Sequence, residues 1–197
     1  MLMMRRRQAA RGFALMEILI SLVILMFGLL GLVGISSRTH MSEVEAYQRV
    51  LAQQLVQDMA DRLNANRKVA TCYSNGVTGT QFGAGYTGTP TCTAGAAQEQ
   101  ARAVADLKEW DGLLKNTAVT TKDGGSVVGM IGAVGCVTLD DASKNIYLVA
   151  VAWQGLNKTA APLLADGKTA FPCGSGSYAD EKLHRVVTTK VRMGALS

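Results

Sequence analysis

Two hydrophobic periods divide this sequence. From Phe13 to Ile35, 18 of 23 residues are apolar and Glu17 is the only charge. As a helix this run measures about 35 Å, enough to cross a hydrocarbon core of about 30 Å. Residues 36–66 contain no Pro and no Gly, and Val44, Tyr47, Leu51, Leu55, Met59 and Leu63 recur at steps of three and four, one face of an amphipathic helix. Asp58 and Arg62 form an i, i+4 pair with the acid leading, a small helix stabiliser. The pattern predicts one helix from Phe13 to about Asn66, about 80 Å long. Its first half has no soluble core to bury against, so it must lie in lipid or pack on other chains.

Beyond Arg67 the period changes. Residues 73–95 are rich in Gly and Thr and read as an irregular loop. Residues 97–116 read as a second amphipathic helix with Ala103, Leu107, Trp110 and Leu114 on one face. Asp123-Gly124-Gly125 is a turn signal, and strands are predicted for Cys136–Leu139, Ile146–Trp153 and Val186–Val191. The short connection from Asp140 to Asn145 predicts an antiparallel hairpin between the first two strands. The third returns to the sheet after a loop from Gly155 to Glu181. The expected class is therefore α+β, a long N-terminal helix laid on an antiparallel sheet.

Composition changes this picture in one respect. The 197 residues, 48% apolar and 18% charged with a net charge of +5, suit one small domain plus an anchor. The basicity is uneven: Arg5, Arg6, Arg7 and Arg11 precede the apolar run with no acid among the first 12 residues. Removing residues 1–12 leaves 16 basic against 15 acidic side chains, a balance of +1. The excess is a topology signal that keeps the N-terminus in the cytoplasm and sends residues 36–197 across the membrane. Binding of nucleic acid is a minor expectation, because Lys182, Arg185, Lys190 and Arg192 partly alternate along a strand and read as a solvated sheet face. An ordinary cleaved signal fits poorly. The run is too long, it contains a carboxylate, and no small-x-small site follows it.

The four cysteines, Cys72, Cys92, Cys136 and Cys173, lie outside the cytoplasm on this topology and suggest two disulfides among three connectivities. The favoured pairing is Cys72–Cys92, which staples the Gly/Thr loop, and Cys136–Cys173, which ties the loop after Trp153 to the first strand. No C-x-x-C spacing points to a metal instead. Gly83-Ala84-Gly85-Tyr86-Thr87-Gly88 matches a dinucleotide fingerprint but has Thr-rich loop on both sides, so it is set aside. His40 is expected on the helix surface and His184 at a strand edge. No cofactor and no catalytic constellation is expected.

Glu17 carries the most chemistry. A carboxylate in a spanning helix costs about 2.5–3.5 kcal/mol on insertion scales and calls for a partner. Alternatively it lies near the interface, favoured by the helix dipole. A cut between Gly12 and Phe13 would create an α-ammonium group, the natural counter-charge, and pairing with the Glu17 of a neighbour would set the axial register between packed subunits.

Arg11-Gly12-Phe13-Ala14-Leu15-Met16-Glu17 followed by the apolar run resembles the class III signal of type IV prepilins. The resemblance implies that a prepilin peptidase cuts after Gly12 and methylates Phe13, and that Glu17 guides assembly. Asp58-Met59-Ala60-Asp61-Arg62-Leu63-Asn64-Ala65-Asn66-Arg67 resembles the PilV family of type IV minor pilins. So do Val149-Ala150-Val151-Ala152-Trp153-Gln154-Gly155, Gly135-Cys136 and Arg185-Val186-Val187. Major pilins commonly carry a helix-kinking Pro about where Gly34 stands, and its absence here points away from them.

The resemblance implies the type IV pilin fold, with a cleaved leader at 1–12, a transmembrane assembly helix at 13–35, its amphipathic continuation at 36–66 and a periplasmic head at 67–197. It implies a non-enzymatic chain of the inner membrane and the extracellular pilus, which helps start pilus assembly and supports adhesion and twitching motility. Its partners would be the prepilin peptidase, other minor pilins and the major pilin, with a tip adhesin as a further candidate. The rival expectations are a minor pseudopilin of type II secretion and an uncleaved, membrane-anchored periplasmic binding protein or hydrolase. Gly28, Gly31 and Gly34 are expected to allow close helix packing.

Overall fold

A computed structural model describes residues 15–74, 79–116, 119–120 and 126–194. Helix α1 spans Leu15–Ala65 without interruption, about 77 Å at 1.5 Å per residue. The chain divides into two units between Ser42 and Glu43. In the first unit, the helix stands alone among the described residues.

In the second unit α1 ends in a 3-10 turn at Arg67–Cys72. Strand β1 (Thr80–Gly83), helix α2 (Ala97–Asn116) and the small hairpin β2 (Val119–Thr120) and β3 (Ser126–Val128) follow. Then come β4 (Ile131–Asp141), β5 (Ile146–Gln154), a 3-10 turn at Glu181–Leu183 and β6 (His184–Arg192). The main sheet has the order β1-β4-β5-β6, and every neighbouring pair is antiparallel. The α+β class and the β4–β5 hairpin are as expected.

β5 is apolar on both faces because both are covered. Tyr147, Val149, Val151 and Trp153 point into the core against Leu55, Met59 and Leu63 of α1 and Leu107, Trp110 and Leu114 of α2. Ala150 and Ala152 point to the opposite face and are capped by Phe171, Cys173 and Tyr178 from the loop after β5. Period-two alternation thus serves two cores rather than one core and solvent. Gly135 fits here because the Trp110 ring presses on the β4 backbone: a Cβ at Gly135 would lie 2.4 Å from Trp110 Cη2.

Three sequence expectations change. β1 lies inside the stretch read as loop; it has only four residues and pairs Phe82 with Gly135 of β4. β4 begins at Ile131, five residues before the expected Cys136, because its glycines hide an extended segment. Tyr47 is 48% exposed, and the buried stripe runs instead through Gln48, Ala52, Leu55, Val56, Met59 and Leu63. Gln48 earns that position by bridging two elements. Its Nε2 donates to Gly129 O at 2.7 Å, and its Oε1 accepts from Trp153 Nε1 at 3.2 Å. His184 opens the edge strand β6, as expected, and is buried there at 1% exposure.

The structure joins Cys72 to Cys92 and Cys136 to Cys173, the favoured pairing, across sequence separations of 20 and 37. Closures of this size contribute about 2–4 kcal/mol each. Their surroundings differ. Cys136 and Cys173 are both 4% exposed, whereas Cys72 and Cys92 are half-buried. Native protein treated with dithiothreitol and then alkylated should therefore label Cys72 and Cys92 first. Label on Cys136 and Cys173 should appear only as the head unfolds. Peptide mapping by mass spectrometry reads both, and equal labelling would show that the loop over the sheet opens freely.

Candidate functional site

The N-terminal half of α1 is a helix whose apolar residues are left uncovered among the described residues. From Leu15 to Ile35 the large apolar side chains are between 49% (Leu19) and 76% (Leu15) exposed. Leaving a Leu, Ile or Phe in water instead of burying it costs about 1.5–3 kcal/mol each, so this surface requires lipid or protein around it. It is long and apolar enough to cross a membrane.

Glu17 lies in the first turn of α1, where the helix dipole favours an anion. It is exposed, and Ser21 Oγ donates to its main-chain oxygen at 2.8 Å, not to the carboxylate. Gly28, Gly31 and Gly34 have open space where a Cβ would stand, so their smallness answers no contact within the described chain. Gly12 and Phe13, the expected cleavage and methylation positions, lie outside the described residues.

The segment Asp58–Arg67 acquires a physical role. Arg62 is the hub of a charged cluster between α1 and α2. Its Nε donates to Asp58 Oδ2 at 2.8 Å, and its Nη1 to Glu109 Oε2 at 2.7 Å and Asp106 Oδ1 at 3.3 Å. Burial pulls the guanidinium pKa down, but its hydrogen bonds to Glu109 and Asp58 outweigh this and hold it above the ordinary arginine value. Asp106 is buried and also accepts from the Tyr73 hydroxyl. Burial, then that bond, push the Tyr73 pKa well above its usual range. Asn66 Nδ2 donates to Glu99 O at 2.9 Å and to Tyr73 Oη at 3.3 Å. Together these residues fasten the end of α1, the first 3-10 turn and α2 to one another.

The basic residues near the C-terminus divide. Lys182, Lys190 and Arg192 are exposed, and Lys190 pairs with Asp140 at 2.7 Å. Arg185 turns inward instead, donating to Asn157 O and lying 3.4 Å from Glu45 Oε1. Glu45 also accepts from the main-chain N–H groups of Leu156 and Asn157 at 3.0 and 2.9 Å, so it pins the loop after β5 to α1. The expected solvated sheet face therefore holds for Lys190 and Arg192 on β6, whereas Lys182 lies in the 3-10 turn before it.

His184 Nδ1 lies 3.0 Å from Glu181 Oε2, and its ring packs on Tyr178 at 5.2 Å between centroids. Its Nε2 is buried without a hydrogen-bond partner among the described residues. A proton on Nδ1 directed at Glu181 leaves a lone pair rather than an N–H unmatched in the core. This burial has no local signature, since Arg185 follows directly and Lys182 stands two residues before. The glycine-rich match at 83–88 has no helix opening at it: Gly83 ends β1, and α2 starts only at Ala97. Among the described residues, no group of three or more His, Cys, Asp or Glu is placed to hold a metal ion.

Comparison with protein-family models, curated proteins and solved structures found no match.

Proposed function

We propose that this chain is a type IV minor pilin of the PilV kind: a non-enzymatic subunit that is processed at Gly12, held in the inner membrane by α1, and joined through that helix to other pilins as pilus assembly begins. The observation that carries this reading is the continuous α1. Its first half presents a bare apolar surface with one carboxylate, Glu17, and its second half is the core helix of an α+β head. A helix used only as an anchor needs no charge in its apolar run. One used for packing against copies gains an axial address from it. The prepilin-like motif Arg11–Glu17 and the disulfide-bonded head support the same reading.

Mass spectrometry of the mature N-terminus tests it. The expected chain starts at N-methyl-Phe13 and is recovered with sheared pili. An intact leader through Gly12 would overturn the proposal in favour of an anchored binding protein or hydrolase. A processed chain recovered only with a secretion complex would assign it to the type II pseudopilins.

A further inference from the structure

We propose that the open edge of β6 is a docking site for an extended acidic segment of another protein, which would join the sheet as a further strand. β6 ends the order β1-β4-β5-β6, and among the described residues no strand lies beyond it. Which of its main-chain groups are open follows from the ladder. Met193 N donates to Asn145 O at 2.9 Å, and Gly155 N to Leu183 O at 2.8 Å. Bonded and unbonded pairs alternate in an antiparallel ladder. The regular register between those two bonds therefore gives Arg185, Val187, Thr189 and Val191 to β5. The N–H and C=O groups of Val186, Thr188 and Lys190 turn away from β5, and none of them has a hydrogen-bond partner among the described residues.

The two edges of the sheet differ. β1 has four residues, and Asp111 of α2 already accepts from its Gly83 N–H at 2.8 Å. β6 has nine residues, with no Pro and no register shift against β5. The loop after β5 occupies only the approach to it, where Thr159 N donates to Lys182 O at 2.8 Å. From Val186 to Lys190 the run Val-Val-Thr-Thr-Lys is β-branched at every position but the last, a composition suited to strand pairing. A long, regular, unpaired edge is a template for another strand.

Charge selects the occupant. Lys182, Arg185, Lys190 and Arg192 lie between Glu181 and Gly194 with no acid among them. Glu45 and Asn157 engage Arg185, and Asp140 engages Lys190. Arg192 is exposed and pairs with no acid among the described residues. Side chains alternate along a strand, so Thr188, Lys190 and Arg192 share one face of β6. Val187 and Thr189 share the other, where Val187 packs on the main core. An incoming strand is thus matched when acids stand beside Lys190 and Arg192 and β-branched residues beside Val187 and Thr189. A second copy of β6 would bring only positive charge to a positive edge. This proposal does not depend on the pilin reading, because it concerns the head alone.

The test uses the full chain in a zwitterionic detergent and two short peptides, one alternating Val with Glu and one alternating Val with Lys. Titration followed by amide NMR is expected to show binding of the Glu peptide and little of the Lys peptide. In the complex, hydrogen exchange should slow at Thr188 and Lys190 and change little at Thr189 and Val191, which are already bonded to β5. Thr188→Pro removes an outward N–H and leaves the β5 ladder intact, so the head should fold and binding should fall about tenfold. Arg192→Glu, at an exposed site, should weaken the Glu peptide about five-fold and strengthen the Lys peptide. No binding of the Glu peptide, equal binding of both peptides, or binding unchanged by Thr188→Pro and Arg192→Glu would overturn the proposal. Self-association through this edge would assign it to a second copy, and tighter binding of an oligodeoxythymidine would assign it to nucleic acid; either also overturns the proposal.

Discussion

On the minor-pilin reading, replacing Glu17 with Ala is expected to leave membrane insertion and removal of residues 1–12 intact, and to cut incorporation into filaments about tenfold or more. Insertion should if anything improve, because a carboxylate costs about 2.5–3.5 kcal/mol in a spanning helix. Assembly should suffer because the ammonium of Phe13 in a neighbouring subunit would face lipid without a partner, and stranding one member of a desolvated ion pair costs several kcal/mol. The motivation is the position of Glu17 as the sole charge on an otherwise apolar, exposed surface. The measurement is the ratio of the chain in sheared pili to that in membranes, with the N-terminus sequenced in both fractions. Normal incorporation would remove the assembly role from Glu17. A Glu17→Asp variant, which keeps the charge on a shorter stem, should fall between.

The second large effect is on folding. Arg62→Met is expected to destabilise the head by about 3 kcal/mol, because it leaves Asp106 buried with a carboxylate that has lost its nearest well-ordered cation. For a domain of this size that lowers the melting temperature by roughly 10 °C. What remains on Asp106 is the Tyr73 hydroxyl and the guanidinium of Arg102, 3.5 Å away on a side chain that is 64% exposed. Asp58→Asn, which removes one of the more exposed partners of the same arginine, should change stability by only about 0.5 kcal/mol. Adding Asp106→Asn to Arg62→Met should recover part of the loss, since it removes the stranded charge. Thermal melts of the four proteins decide this. If Arg62→Met costs no more than Asp58→Asn, the cluster is merely a surface pair.

The sequence was most legible where a period ran long enough to be counted. The length of α1, the buried face of α2 and the continuous apolar run of β5 all follow from spacing, because helical and extended burial repeat over many residues. The failures share a cause, which is that a distant partner decides the outcome. Gln48 looks solvated until Trp153 and Gly129 arrive to satisfy its amide, and Tyr47 is displaced from the core as a result. β1 is invisible in a Gly/Thr-rich stretch because its four residues are extended only by pairing with β4. His184 is buried because Glu181 and Tyr178 enclose it from a loop whose path has no local signature.

The candidate site divides along the same line. The apolar helix and Glu17 could be read directly, since exposure of such a surface is a property of the segment itself. The Arg62 cluster could not, because Asp106 and Glu109 reach it from α2, 44 and 47 residues further along the chain.

The two disulfides have a further consequence under load. A head tethered through one helix feels tension whenever that helix is pulled, and an unfolding chain lengthens by about 3.5 Å for each residue drawn out. The segments enclosed by Cys72–Cys92 and Cys136–Cys173 are shielded from that extension while the bonds stay closed, since force passes through sulfur rather than along the backbone. About 200 Å of contour length is thereby locked away. Pulled from its ends, the oxidised chain should yield in fewer and shorter steps than the reduced one, with residues 155–172 of the loop that covers the outer face of the sheet kept out of the stretch.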